Sequence, residues 1–130
     1  MTPKIKMQSI VLDCKDINQL ADFYVKLLGG EIAFDIEGYF KGVSVEGENI
    51  RISVQYDPDY APPIFPGSVG EQAMMEHMDF SADDVDAAAE YAQSIGAVKS
   101  GTQFWQEGYG PRWITMLDPA GHPFCLCGQE

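Results

Sequence analysis

The sequence predicts an α+β fold in which two βαβββ modules form a curved mixed sheet, or cup, with the helices on its outer face. Three observations predict it: strand-like and helix-like segments in a fixed order, an internal repeat of that order, and a proline-rich segment between the two copies. The chain has 130 residues and 45% hydrophobic content, which are ordinary values for one globular domain. We therefore expect residues 1–130 to form a single domain.

The first module is expected at about residues 5–57. Its first segment, SIVLDC at 9–14, is rich in apolar and β-branched residues, as strands are. Asp16 then has the chemistry of a helix N-cap, and apolar residues at helical spacing follow it as far as Gly29 and Gly30. Three strand-like runs complete the module, at 31–36, 40–47 and 50–56.

A connector is expected at residues 57–72. The segment DPDYAPPIFPGSVG contains four prolines and two glycines. Proline fixes φ and removes a backbone donor, so regular structure is disfavoured here. The segment is also too short and too apolar for a flexible linker, and we expect it to lie across the fold.

The second module is expected at about residues 73–128. A strand at 76–81 precedes a helix that Asp83 or Asp84 would cap and Gly96 would end. Strands follow at 97–100, 112–118 and 123–127. Pro119 and Gly121 have the backbone preferences of a tight turn between the last two of these strands.

The two modules repeat each other in sequence. Asp16-Ile17 matches Asp84-Val85 at an offset of 68 positions, and the same offset relates Phe23 to Tyr91 and Leu27 to Ile95. A module of about 60 residues buries too little apolar surface to be secure alone. We therefore expect the two copies to share one sheet, leaving its other face free for a ligand.

The charge and the cysteines restrict the function classes. A net charge of -12 repels phosphate backbones, which makes a nucleic acid an unsuitable partner. Apolar runs fall short of the about 20 residues that a membrane helix needs. Three cysteines, an odd number, do not suggest a disulfide framework, so a reducing cytoplasm is expected. The acidity has two interpretations, general solubility or a cavity for cationic ligands.

Residues 75–99 and 112–127, MEHMDFSADDVDAAAEYAQSIGAVK and RWITMLDPAGHPFCLC, are the most specific part of the chain. They resemble the vicinal oxygen chelate superfamily, which includes glyoxalase I, bleomycin-resistance proteins and extradiol dioxygenases. The resemblance is greatest to its glyoxalase-like domain proteins. It implies paired βαβββ modules and a homodimer, and it fixes no reaction because one fold hosts many chemistries.

The resemblance also implies where a metal would bind. Metal-using members of the superfamily hold a divalent ion with one His, Glu or Gln from each of four strands. The corresponding positions here are Ser9, then Ser53 or Gln55, then His77 and Cys125. Because His77 alone has the expected chemistry, we expect no metal site of the family type and no cofactor. Zinc held by His77 and Cys125 alone would have only two protein ligands.

Strand alternation assigns side chains to the cup face. In the second module His77, Asp79 and Ser81 share that face, and Tyr109 would join them from a glycine-rich loop. The residues predicted to bind the ligand are Ser9, Arg51, Ser53, Gln55, His77, Trp105, Trp113 and Cys125. The alternatives are core or dimer packing for the two tryptophans and a small, buried, inert cysteine for Cys125.

Three functions agree with these residues. The first is a metal-independent protein that binds a small molecule, as do the acidic, homodimeric, drug-sequestering members of the superfamily. The second is a divalent-metal-dependent lyase, isomerase or dioxygenase. The third is a metal-free enzyme in which His77 is the general base and Arg51 binds an anionic substrate. The sequence therefore leaves open whether the protein is an enzyme.

Overall fold

Hydrogen bonds join the strands into two four-stranded mixed sheets, one in each half of the chain. The computed structural model describes residues 2–129, and these divide into unit 1, up to Tyr60, and unit 2, from Ala61. Each unit has the order βαβββ. The predicted α+β class and its two βαβββ modules are therefore confirmed. The described strands form two hydrogen-bonded sheets, however, and not the single shared sheet that was expected.

Unit 1 has one helix and four strands. In chain order they are β1 (Ser9–Cys14), α1 (Ile17–Leu28), β2 (Glu31–Ile36), β3 (Phe40–Ser44) and β4 (Arg51–Tyr56). The strand order in the sheet is β1-β4-β3-β2. β1 and β4 are parallel, and the other two pairs are antiparallel. The chain must therefore cross from β1 to β4 through α1 and a hairpin.

The ends of α1 follow from its sequence. The Asp16 carboxylate accepts a hydrogen bond from the Gln19 backbone N–H at 2.9 Å, and Gly29 ends the helix with a φ of 67°. The apolar stripe of α1 packs on β3 and β4. The largest side chains buried there are Leu20, Phe23, Tyr24, Val43 and Val54. The helix thus covers one face of this sheet.

Unit 2 repeats this arrangement. Its elements are β5 (Met78–Ser81), α2 (Val85–Ser94), β6 (Val98–Lys99), β7 (Trp113–Leu117) and β8 (Pro123–Cys127). The strand order is β5-β8-β7-β6, with β5 parallel to β8 and antiparallel pairs elsewhere. Position for position this is the topology of unit 1, so the sequence repeat is a repeat of structure.

Small residues let α2 lie close to its sheet. Asp84, not Asp83, caps the helix by accepting the Ala87 backbone N–H at 3.0 Å. Ala89 and Ala92 are buried against the sheet. The strands contribute the larger core side chains, which are Ile114, Met116, Phe124 and Leu126. All four point toward α2, so their neighbours in β7 and β8 face the opposite side.

The turn between β7 and β8 is built around Asp118, which is 3% exposed. Its carboxylate accepts backbone N–H groups of Ala120 and His122 at 2.9 and 3.0 Å, and its carbonyl accepts that of Gly121 at 2.8 Å. Gly121 has a φ of 89°. The predicted turn is thus confirmed, and Asp118 is buried with its acceptors satisfied.

The connector folds onto unit 2. Ile64 forms a bridge with Ala73, and the Gln72 side chain donates to the carbonyl of Ala61 at 2.8 Å. Pro62 lies so close to Gly121 that a Cβ added to Gly121 would be 2.8 Å from the Pro62 Cβ.

The helices in the described part of the chain are each too short or too polar to span a membrane.

Candidate functional site

The face of unit 2 opposite α2 contains a cavity of about 400 Å³, a size typical of small-molecule sites. It includes three of the predicted ligand-binding residues, His77, Trp113 and Cys125. The full lining is Phe65, Met74, His77, Asp79, Phe104, Trp113, Thr115, Pro123, Cys125 and Cys127. The strands and the folded connector thus build this cavity within one unit.

Strand register explains why these side chains meet. Asp79 of β5 is paired with Cys125 of β8, which in turn is paired with Thr115 of β7. Paired residues point to the same face of a sheet, so these three side chains form a row across it. A second row contains Cys127 and its partner Trp113. His77 lies two residues before Asp79 and directly before β5, on the same side.

Polar atoms converge at one end of the cavity. His77 Nε2 is 3.2 Å from Asp79 Oδ1, and Cys125 Sγ is 3.4 Å from Thr115 Oγ1. The ligand atoms of His77, Asp79 and Cys125 all lie within 4.8 Å of one another. The His77 and Asp79 side chains are 40% and 63% exposed, whereas Cys125 is 7% exposed. The group is therefore anchored in the sheet and open to solvent on one side.

The two thiols of the cavity are held in their protonated form. Burial raises the pKa of Cys125, and the negative charge of Asp79 adds to this, although the hydrogen bond with Thr115 opposes it. Burial and the same carboxylate raise the pKa of Cys127 from the ordinary 9.0 to about 11. Because the thiolate is the nucleophile, neither cysteine is activated for covalent catalysis.

Aromatic rings form the cavity's apolar wall. Phe65 of the connector meets Phe104 edge to face, with ring centroids 6.1 Å apart. Trp113 stacks on Tyr109, with centroids 6.3 Å apart and an interplanar angle of 20°. Such faces suit a flat aromatic ligand, because offset stacking adds to the free energy of burying apolar area.

The loop before β7 is braced by its own side chains. The Gln103 amide accepts the Thr115 backbone N–H at 2.8 Å and donates to the Thr115 carbonyl at 2.9 Å. This pairing positions the adjacent Phe104 at the cavity. Trp105 donates its indole N–H to the Gly110 carbonyl at 3.1 Å. Trp105 therefore stabilises the loop, and the cavity lining does not include it.

The other four predicted residues lie in unit 1. β4 supplies Arg51, Ser53 and Gln55, and Ser9 of β1 is paired with Arg51. Ser53 is 0% exposed. Among residues 2–129, neither Arg51 Nε nor Ser53 Oγ has a hydrogen-bond partner. Both atoms lie next to Gly42, because a Cβ added to that glycine would be 3.5 Å from Arg51 Nε and 3.5 Å from Ser53 Oγ.

The residues at the four expected ligand positions differ from the ligands of metal-using relatives. Ser9 and Ser53 supply hydroxyl groups, and Gln55 supplies a neutral amide, where a hard divalent ion is held best by carboxylate or imidazole ligands. Unit 1 therefore lacks the strong ligands of such a site. Unit 2 offers imidazole nitrogen, carboxylate oxygen and sulfur together, a donor set that zinc accepts. The third donor, Asp79, was not predicted as a ligand. Its position two residues after His77, on one strand face, was the available signal.

The topology and the cavity place the chain among proteins with paired βαβββ modules. The family model described as "Glyoxalase-like domain" matches residues 9–127. The chain belongs to this glyoxalase-like domain family, and the predicted resemblance to the vicinal oxygen chelate superfamily is thereby confirmed. A search of curated proteins gave no significant match.

Solved structures share the fold at low identity. A glyoxalase/bleomycin resistance protein/dioxygenase family enzyme from Burkholderia phytofirmans PsJN is similar with a TM-score of 0.68 and 18% identity, over 93% of this chain and 96% of that one. TnmS3, an antibiotic binding protein from Streptomyces sp. CB03234, gives 0.66 and 18% over the whole of both chains. The fosfomycin resistance protein FosX from Listeria monocytogenes gives 0.66 and 16%, over 100% and 94%.

Proposed function

We propose that this protein binds a small, planar, positively charged aromatic molecule in the cavity of unit 2, without the metal site of its metal-using relatives. One observation carries the proposal: the exposed carboxylate of Asp79 and the half-buried ring of Trp113 line the same cavity. A flat cation can stack on the ring and place its charge near the carboxylate.

Electrostatics supports a cation as the ligand. The chain carries a net charge of -12, which raises the local concentration of cations at its surface. Within the cavity lining, Asp79 is the side chain with a fixed charge, and His77 adds a hydrogen-bonding group beside it. A neutral aromatic molecule would stack equally well but would gain nothing from Asp79.

One structural neighbour supports binding. TnmS3 is an antibiotic binding protein, whereas the protein from Burkholderia phytofirmans PsJN is an enzyme of the glyoxalase/bleomycin resistance protein/dioxygenase family and does not favour binding over catalysis. An identity of 18% to TnmS3 extends this support only to the kind of function, and the ligand must be argued from the cavity.

We also propose that unit 1 supplies polar contacts to a ligand. Arg51 Nε and Ser53 Oγ are donors without acceptors in the described chain, and leaving such atoms buried and unpaired costs free energy. An acceptor group on a ligand would remove that cost. Ser9 and Gln55 lie on the same face of β1 and β4 and would extend the polar surface.

A metal-free enzyme is the second candidate. The observation favouring it is the contact between His77 Nε2 and Asp79 Oδ1, because a carboxylate that orients an imidazole is a common arrangement for a general base. The binder and the enzyme differ in what happens to the ligand. Mass spectrometry of a ligand recovered from the protein would show an unchanged molecule for the binder and a product for the enzyme.

The proposal also covers the oligomeric state of the protein and its cellular location. We propose a homodimer, since the edge strand β2 exposes large apolar side chains that a second copy could cover. We propose the cytoplasm as its location. All three cysteines are free thiols in the structure, which agrees with a reducing compartment.

Titration with ethidium, a planar aromatic cation, tests the binding proposal through tryptophan fluorescence. Ethidium should quench the Trp105→Phe variant, in which Trp113 remains as the reporter, and should leave Trp113→Phe nearly unquenched. Asp79→Asn should weaken binding about tenfold, or about 1.4 kcal/mol. Glu90→Gln, an equal charge change on the exposed surface of α2, is the control and should not alter the affinity. Equal affinities for these two variants would contradict the proposal.

A further inference from the structure

We propose that Arg51 and Ser53 of unit 1 form a site for a small oxyanion, either a carboxylate or a phosphoryl group. The inference rests on the proposed polar contacts of unit 1 and adds the charge of the group that makes them. It does not depend on the cation site of unit 2, because the two residues and their register partners belong to the sheet of unit 1.

The two arginines of the chain, Arg51 and Arg112, have different surroundings. Arg112 Nη1 donates to both carboxylate oxygens of Asp86 at 2.8 Å. Arg51 has no ion pair within residues 2–129, although the sequence contains 20 acidic residues. A guanidinium is always charged, and leaving it half-buried without a partner costs free energy. A bound anion would lower that cost.

The adjacent strand β1 brings no carboxylate into register with either residue. Arg51 is paired with Ser9, and Ser53 is paired with Val11. The acidic residue of β1 on the same face, Asp13, is four residues beyond Ser9, or about 13 Å along the strand. The positive charge of Arg51 is therefore not offset from β1.

A buried hydroxyl lies near the guanidinium. Ser53 is 0% exposed, and neither Ser53 Oγ nor Arg51 Nε has a hydrogen-bond partner among residues 2–129. A Cβ added to Gly42, the partner of Ser53 on β3, would lie 3.5 Å from both atoms. The two donors thus converge on a residue that has no side chain, where one oxyanion can accept hydrogen bonds from both.

The chemistry of the donors selects the ligand group. The planar fork of a guanidinium matches the paired oxygens of a carboxylate or a phosphoryl group, and charge-assisted hydrogen bonds of this kind are strong. Within residues 2–129 no hydrogen bond holds the Arg51 side chain, which is half-buried. Its head group can therefore turn to admit an anion beside Ser53.

Titrations of the full chain with phosphate, acetate and acetamide test the site, at constant pH and ionic strength. They are followed by NMR through the amide chemical shifts of β3 and β4. We expect phosphate and acetate to give saturable shifts around Gly42 and Ser53, and the tighter of the two identifies the oxyanion. Acetamide, the neutral analogue of acetate, should bind at least tenfold more weakly. Equal binding of acetamide and acetate would overturn the inference and leave the polar contacts of unit 1 in place.

Matched variants separate the site from general charge effects. Arg51→Gln should weaken binding of the anion at least tenfold, whereas Arg112→Gln removes the same charge elsewhere and should keep the affinity. Gly42→Ala keeps both donors but places a methyl group where they converge, so it should also weaken binding. Its unfolding temperature should stay near that of the wild type, since the added Cβ meets no described atom closer than 3.4 Å.

Two results would overturn the inference. One is the absence of saturable shifts at Gly42 and Ser53 with both anions, and the other is an Arg51→Gln variant that binds them as tightly as the wild type. Quenching of the wild type by ethidium reports on unit 2 separately. A protein that binds ethidium but neither anion would therefore contradict the anion site alone.

Discussion

At the scale of single residues, Cys125 shows which features of the cavity the sequence could predict. It lies on β8, between β5 and β7, where its thiol contacts the Thr115 hydroxyl and the negative charge of Asp79 helps to raise its pKa. Its position in the last strand was predictable from the turn that precedes it. Its pairing with Asp79 was not, because no local pattern sets the register between two parallel strands separated by a helix and a hairpin.

Gly121 is a residue whose replacement gives a clear prediction. Its φ of 89° disfavours a side chain, and an added Cβ would lie 2.8 Å from the Cβ of Pro62. We expect Gly121→Ala to lower the free energy of unfolding by about 1–3 kcal/mol, as measured by urea denaturation.

Gly101→Ala is the matched control for that substitution. Gly101 has no atom within 4 Å of its added Cβ and does not have a left-handed φ. Its replacement should change the free energy of unfolding by less than about 0.5 kcal/mol. Similar losses for both variants would show that the contact between the connector and the turn is not important for stability.

At the scale of elements, strands and helices were predictable because each carries a local signal. The Asp16 cap and the end of α1 at Gly29 agree with the structure, and the choice between Asp83 and Asp84 was settled only by geometry. The connector was predicted to lie across the fold. Its contribution of Phe65 to the cavity was not predicted, since proline-rich segments carry no periodicity that reveals which side chain turns inward.

The edge strand β2 carries the prediction about assembly. All six of its residues are exposed, including Phe34 at 51% and Ile36 at 47%. Edge strands of monomers are usually protected by charge or by a covering element. We expect the wild type to sediment as a dimer and Phe34→Lys to sediment as a monomer, because a buried unpaired charge opposes association.

A charge introduced elsewhere is the control for the edge strand. Tyr91 of α2 is 48% exposed, and Tyr91→Lys should leave the dimer intact. A wild type that sediments as a monomer, or a Phe34→Lys variant that remains a dimer, would contradict the role of β2.

At the scale of the whole molecule, the two units have one topology and different chemistry. Unit 1 contains two atoms, Arg51 Nε and Ser53 Oγ, that have no hydrogen-bond partner within residues 2–129. Unit 2 instead brings His77, Asp79 and Cys125 into one cluster. The repeat was enough to predict the fold. The cavity could be predicted only in part, because it depends on which of the repeated positions have changed and on contacts between distant segments.

The face of unit 2 opposite α2 is the surface that we propose binds the ligand. Amide chemical shifts of the full chain, followed by NMR during titration with ethidium, test it most directly. We expect saturable shifts concentrated in β5, β7 and β8 around Asp79, Trp113 and Cys125, with little change on the exposed side of α2. Shifts that are absent from these strands, or that concentrate on α2, would contradict it.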